Sequence, residues 1–243
     1  MVSFCGLSSA VYILNDLVDR DRDVVHPTKR ERPLAARTVS AATALTLMGA
    51  LATVALALIL SPRFAAIAGI YLLNNVAYSF WLKHVTIVDV FMIAFGFLLP
   101  MRGGAELVHI EPSVWLEIIT GLLALFLALA KRRDDLVLSL GRDQRGSLEG
   151  YNKPFLDAAL IMLLASLMVA YLIYTTDREV MVRLGTADLV LTTPFVMAGL
   201  LRYLQIMLVE ERSGSPTTMV LSDRFLIGCV FGWIATFGFI LYA

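Results

Sequence analysis

Long apolar runs alternate with short charged segments throughout the 243 residues. A helix needs about 20 apolar residues to cross a bilayer. Runs of that order lie at roughly 41–60, 64–82, 86–101, 113–130, 155–174, 186–204 and 224–242. The run 86–101 is short and carries Asp89, so extension beyond its apolar limits is expected. The first run, 2–14, is too short to span alone and reads as the inner end of a helix. The pattern predicts an all-α, polytopic transmembrane bundle of about eight spans, forming a single domain over residues 1–243. Alternation then puts segments 16–40, 83–85, 131–153 and 205–223 on one side. Segments 61–63, 102–112 and 175–185 fall on the other.

Composition agrees with a bilayer as solvent. Hydrophobic residues make up 58% of the chain and charged residues 16%, where a soluble domain has about a quarter charged. Mean hydropathy is +0.77. The net charge is zero, but its placement is uneven, and no nucleic-acid partner is expected. Of the 20 Lys and Arg residues, 16 fall on the first side, with Arg202 and Arg224 counted at the helix ends beside it. Arg63, Arg102, Arg178 and Arg183 fall on the other. Positive residues mark the cytoplasmic face, so 16–40 and 131–153 are expected to be cytoplasmic active-site loops of a multi-pass cell-membrane protein. Both exceed the usual connector length and carry dense acids and bases. Cys5 and Cys229 lie inside apolar runs and read as buried small hydrophobes rather than a disulfide.

The first long loop opens with Asn15-Asp16-Leu17-Val18-Asp19-Arg20-Asp21-Arg22-Asp23. Asp16, Asp19 and Asp23 share one face if the first helix continues through them. Three carboxylates in one stripe repel unless neutralised. Mg²⁺ prefers oxygen ligands and usually joins one or two carboxylates to substrate phosphates, so a magnesium-diphosphate site is expected. Next comes His26-Pro27-Thr28-Lys29-Arg30-Glu31-Arg32-Pro33, in which Lys29, Arg30 and Arg32 suit a phosphate clamp. An anionic-lipid patch is the alternative.

These residues resemble the first aspartate-rich motif of the UbiA superfamily of intramembrane prenyltransferases. The likeness continues in Tyr78-Ser79-x-x-Leu82-Lys83-His84, in Asp89 with Gly96-Phe97-Leu98-Leu99, in Ala130-Lys131-Arg132-Arg133, and in Ser147-Leu148-Glu149-x-Tyr151. It ends in Arg202-Tyr203, Pro216-Thr217 and Asp223-Arg224. The blocks favour the branch that acts on decaprenyl phosphate as phosphoribosyltransferases. The resemblance implies a helix bundle with a cavity open to the cytoplasm, the family's usual first helix being missing or truncated here. It implies Mg²⁺ as cofactor. The implied reaction moves 5-phosphoribose from phosphoribosyl diphosphate to a polyprenyl phosphate, for cell-wall arabinan precursors. Prenyl-diphosphate-using relatives usually carry a second DxxxD in the later loop; this chain has Lys131-Arg132-Arg133-Asp134-Asp135 there instead. One acidic and one basic cluster suit one diphosphate donor and one phosphate-bearing acceptor.

On this reading Asp16, Asp19 and Asp23 hold the metal, and Asn15 supports metal or substrate. Lys29, Arg30 and Arg32 hold donor phosphates. Lys83 joins catalysis and Tyr78 lines the wall. Lys131, Arg132, Arg133, Glu149 and Tyr151 meet the second substrate. The partners are then phosphoribosyl diphosphate, polyprenyl phosphate and membrane lipid, with a homo-oligomer left open. The rival readings are a prenyltransferase joining a prenyl diphosphate to an aromatic or other acceptor, and a cation-coupled transporter. The transporter would place charges near the bilayer centre, whereas the acids here crowd the span ends.

Overall fold

In a computed structural model, residues 2–25, 29–58, 61–137, 146–210 and 216–242 are described. They form helices and turns, with no strand among them. The chain divides into two compact units, one of residues 1–112 with 140–150, the other of 113–139 with 151–243.

The first unit holds α1 (Val2–Asp23), α2 (Ala41–Ala57), α3 (Pro62–Phe80) and α4 (Val88–Leu107). Ser40 and Ser61 start α2 and α3 by accepting from the amides of Thr43 and Phe64, as N-cap hydroxyls do. Pro62 opens α3, where its missing N–H costs nothing. The core gathers Phe4, Leu7 and Val11 of α1 with Ala55, Phe64, Ala68, Tyr71 and Leu99. Phe4 meets Phe64 and Tyr71 edge-on, with centroids 5.2 and 5.6 Å away. Gly6 lets α1 lie close to α2; a Cβ there would stand 3.0 Å from the Cβ of Ala55. Small residues at such crossings allow close packing in membranes.

The second unit holds α5 (Val114–Val137), α6 (Lys153–Thr176), α7 (Arg178–Leu184), α8 (Thr193–Leu208), α9 (Pro216–Ser222) and α10 (Arg224–Tyr242). α5 packs along α6, and α8 along α10. A largely buried polar chain ties α6 and α10 to the turn that leads into α8. Trp233 Nε1 donates to Tyr171 Oη at 2.7 Å, and that oxygen lies 2.6 Å from Thr192 Oγ1.

Among the described residues, eight helices of sixteen or more residues therefore stand at the eight expected positions. Five described segments are long and apolar enough to cross a membrane, and α2 is a shorter apolar helix. Large side chains such as Leu73, Phe97 and Phe231 point outward, as a lipid-facing surface requires. The run 2–14 belongs to a described helix of 22 residues that carries the acidic stripe on one continuous face, as its spacing requires. Two expectations need adjustment. α5 does not stop at 130 but runs to Val137, so Lys131–Arg133 are helical rather than loop residues. Both cysteines are unpaired, as expected, but Cys5 is exposed on α1, and Cys229 is half-buried on the face of α10 that meets α8.

Candidate active site

α1 continues without a break past its apolar half, so Asp16, Asp19 and Asp23 occupy successive turns of one face. Cations from two other segments meet them. One nitrogen of Arg32, Nη1, donates to Asp16 Oδ1 at 2.7 Å and to Asp23 Oδ2 at 2.9 Å. Lys83 Nζ donates to Asp19 Oδ1 at 2.5 Å. Asp23 and Lys83 are both buried, so neither pair is a loose surface contact of the kind that contributes little. Asn15 lies one residue before the stripe, and its Oδ1 accepts from Ser79 Oγ of α3 at 3.4 Å. Asp21 turns outward to Arg20.

Lys83 is delivered by a short 3₁₀ turn, Leu82–His84, between α3 and α4. Ile87, just after it, holds φ at 71°, a costly conformation for a β-branched residue. The 3₁₀ turn Gly146–Gly150 packs on this segment. Gly150 is required there, since a Cβ would fall 2.3 Å from Thr86 Oγ1. Asp89 begins α4 fully buried.

In this unit the structure thus brings together Asn15, Asp16, Asp19, Asp23, Arg32 and Lys83. Lys29 and Arg30 lie on the 3₁₀ turn that precedes Arg32, Lys29 half-buried and Arg30 exposed. Tyr78 is half-buried on α3, and Glu149 is exposed. The motif residues His26, Pro27 and Thr28 lie outside the described residues. Ser79 and His84, the latter 3.3 Å from Arg22 through its Nε2, enter the neighbourhood although spacing alone assigns them no role.

Among the described residues no three acidic, histidine or cysteine side chains converge on one point as a closed metal cage would need. Two do converge, Asp16 and Asp23, on the Arg32 nitrogen. That donor set fits Mg²⁺, which takes one or two carboxylates and completes its octahedron with water and phosphate oxygens. The guanidinium nitrogen marks where positive charge is held between them.

The second unit carries the basic cluster. Arg132 and Arg133, on the last turns of α5, are buried, and Lys131 is exposed. Arg133 Nε donates to Asp157 Oδ1 of α6, and Lys153 Nζ donates to the other oxygen of that carboxylate, Oδ2, at 3.1 Å. Arg132 lies 3.7 Å from Asp135, one turn on. Tyr151 is buried and stacks on Phe155. Arg202 of α8 grips Asp223 Oδ2 through Nη2 at 2.7 Å and Nε at 3.2 Å, and Glu210 through Nη1 at 2.7 Å. Asp223 Oδ1 also accepts from the Leu226 amide, capping α10. The Arg202 guanidinium, helped by that amide, holds the Asp223 carboxyl down at about 2. Asp157 is the residue that spacing misses. Its signal is an acid just inside an apolar run, facing an arginine-rich helix end.

The description "UbiA prenyltransferase family" matches residues 1–213. The decaprenyl-phosphate phosphoribosyltransferase of Mycolicibacterium smegmatis is 32% identical, over 99% of this chain and 79% of that protein. The Corynebacterium glutamicum protein of the same name is 30% identical, over 96% and 72%. A 4-hydroxybenzoate octaprenyltransferase of Cupriavidus necator is 31% identical over 55% of this chain and 50% of its own length. The solved structure of a UbiA homolog from Archaeoglobus fulgidus, bound to GPP and Mg²⁺, superposes with a TM-score of 0.69 at 18% identity, covering 99% of this chain and 85% of that one. It shares the fold.

Proposed function

The chain belongs to the UbiA prenyltransferase family, and from that premise we propose that it transfers 5-phosphoribose from phosphoribosyl diphosphate to a polyprenyl phosphate. The reaction breaks the anomeric C–O bond, and diphosphate leaves with the electron pair. A lipid phosphate oxygen forms the new bond. That oxygen is already anionic, so no strong general base is needed. The proposed active face is cytoplasmic, on the charge asymmetry.

The acidic face of α1 is assigned to the donor. Asp16 and Asp23, with Asp19 beside them, would hold Mg²⁺ there, and the ion would supply charge neutralisation for the departing diphosphate. Arg32 and Lys83 already lie against these carboxylates and carry the positive charge that diphosphate oxygens need. Lys29 and Arg30 extend the clamp. Asn15 orients the donor from the adjoining turn. The acceptor phosphate is assigned to Arg132 and Arg133, with Lys131, Glu149 and Tyr151 as further contacts.

The observation that carries this reading is the buried arginine pair on α5. Prenyl-diphosphate-using members usually present a second acid motif at this point of the chain, whereas buried arginines suit a phosphate-bearing acceptor. The test is donor choice. Purified protein with Mg²⁺ should release diphosphate from phosphoribosyl diphosphate only when a polyprenyl phosphate is supplied. Release from geranyl diphosphate with an aromatic acceptor, and none from the phosphoribosyl donor, would replace the reading with aromatic prenylation.

A further inference from the structure

A cavity of about 460 Å³ opens within the second unit, between α5, α8, α9 and α10. Its size is that of a small-ligand pocket. Phe126, Leu127, Val220, Leu226 and Trp233 make its wall almost wholly apolar. Tyr203 is the exception. Its ring lines the cavity and meets Phe126 edge-on at 5.1 Å, while its hydroxyl lies within electrostatic reach of Arg133 and Asp134. That hydroxyl is buried and finds no hydrogen-bond partner among the described residues. The same holds for Nη2 of Arg133, whose Nε is engaged by Asp157. Buried donors left without acceptors are costly and rare. Here Tyr203 brings one of them to an apolar cavity, and the other lies within electrostatic reach of that hydroxyl.

We propose that this cavity receives the first isoprene units of a polyprenyl monophosphate, with Tyr203 Oη and Arg133 Nη2 donating to its phosphate. The assignment rests on the acceptor reading above and gives the acceptor's tail a place. A charged head and an apolar tail match the donors and the wall in order, which neither a plain hydrocarbon nor a soluble phosphate does.

Cys229 lines the cavity and can report its occupancy without turnover. In Cys5→Ala protein, alkylation of Cys229 by N-ethylmaleimide is followed with farnesyl monophosphate, farnesol, farnesyl diphosphate or inorganic phosphate, in the absence of any donor. Farnesyl monophosphate should slow alkylation at a concentration about tenfold below farnesol, as expected for a charge-assisted hydrogen bond. Tyr203→Phe, which keeps the ring and loses no existing bond, should erase most of that difference. Gly199→Leu, which fills the cavity from α8, should abolish protection. Equal protection by farnesol and its phosphate would overturn the proposal in favour of a bulk-lipid crevice. Stronger protection by the diphosphate would make it a donor pocket, and protection by inorganic phosphate alone would remove the tail. Absence of protection alongside measurable phosphoribose transfer would overturn the cavity only. Protection by farnesyl monophosphate without any transfer would leave the cavity standing and remove the proposed reaction.

Discussion

A single nitrogen of Arg32 bonds carboxylates seven residues apart on α1, and so does the neutralising that a metal would otherwise do. At the proposed metal site, ion and guanidinium would compete for the same two oxygens. Arg32→Met should therefore raise the affinity for Mn²⁺ alone about tenfold, the equivalent of one charge-assisted bond, when read by electron paramagnetic resonance without donor. Unchanged or weaker Mn²⁺ binding would show that Arg32 does not occupy the metal's position. The stripe itself was legible from its three-and-four spacing, since helical periodicity alone puts three acids on one face. Which cation would meet which acid was not legible. Arg32 and Lys83 reach the stripe from 9 to 64 positions along the chain, and Ser79 and Asp157 acquire meaning only from partners supplied by other helices.

Among the elements, the joint between α8 and α10 depends on charge. Asp223 caps α10 and accepts two bonds from Arg202. Its carboxyl sits at about 2 in the folded protein against a usual value of 3.8, so the ionised form favours folding. That contribution is complete above about pH 4 and fades as pH falls through about 2. Asp223→Asn should lower thermal stability at pH 7, and the difference from the parent should shrink as pH falls from 4 to 2, as followed by melting in detergent. A constant difference down to pH 2 would refute the linkage. Element lengths were legible where apolar runs ended at caps such as Ser61 and Asn152. α5 was misread because its hydrogen-bonded backbone continues through Lys131–Arg133. Asp157 and Asp135 neutralise two arginines there, and nothing in the apolar count announces that.

For the whole molecule, the charge asymmetry predicts a definite insertion. In Cys5→Ala, Cys229→Ala protein, an impermeant maleimide should label Ala187→Cys in right-side-out vesicles and Thr38→Cys only in inverted ones, both positions being exposed. The reverse pattern would place the acidic face outside and remove access to cytoplasmic phosphoribosyl donors. The helical class and the number of long helices were legible because the bilayer demands about 20 apolar residues per span. The division into two compact units was not, since it follows from which helices pack together.

α1 is not one of the five long apolar helices, yet it crosses the core of its unit, held by α2 and α3. Polar residues recur along it, from Ser8, bonded to Tyr71 Oη at 2.9 Å, to the acids at its end. A helix of this composition gains little from lipid alone. Within its unit the polar positions of α1 find their partners on later-synthesised segments, so the acidic helix is completed only once α3 and the turn after it are translated. A nascent chain arrested before Pro62 would carry the entire stripe without Tyr71, Ser79 and Lys83 to pair with it.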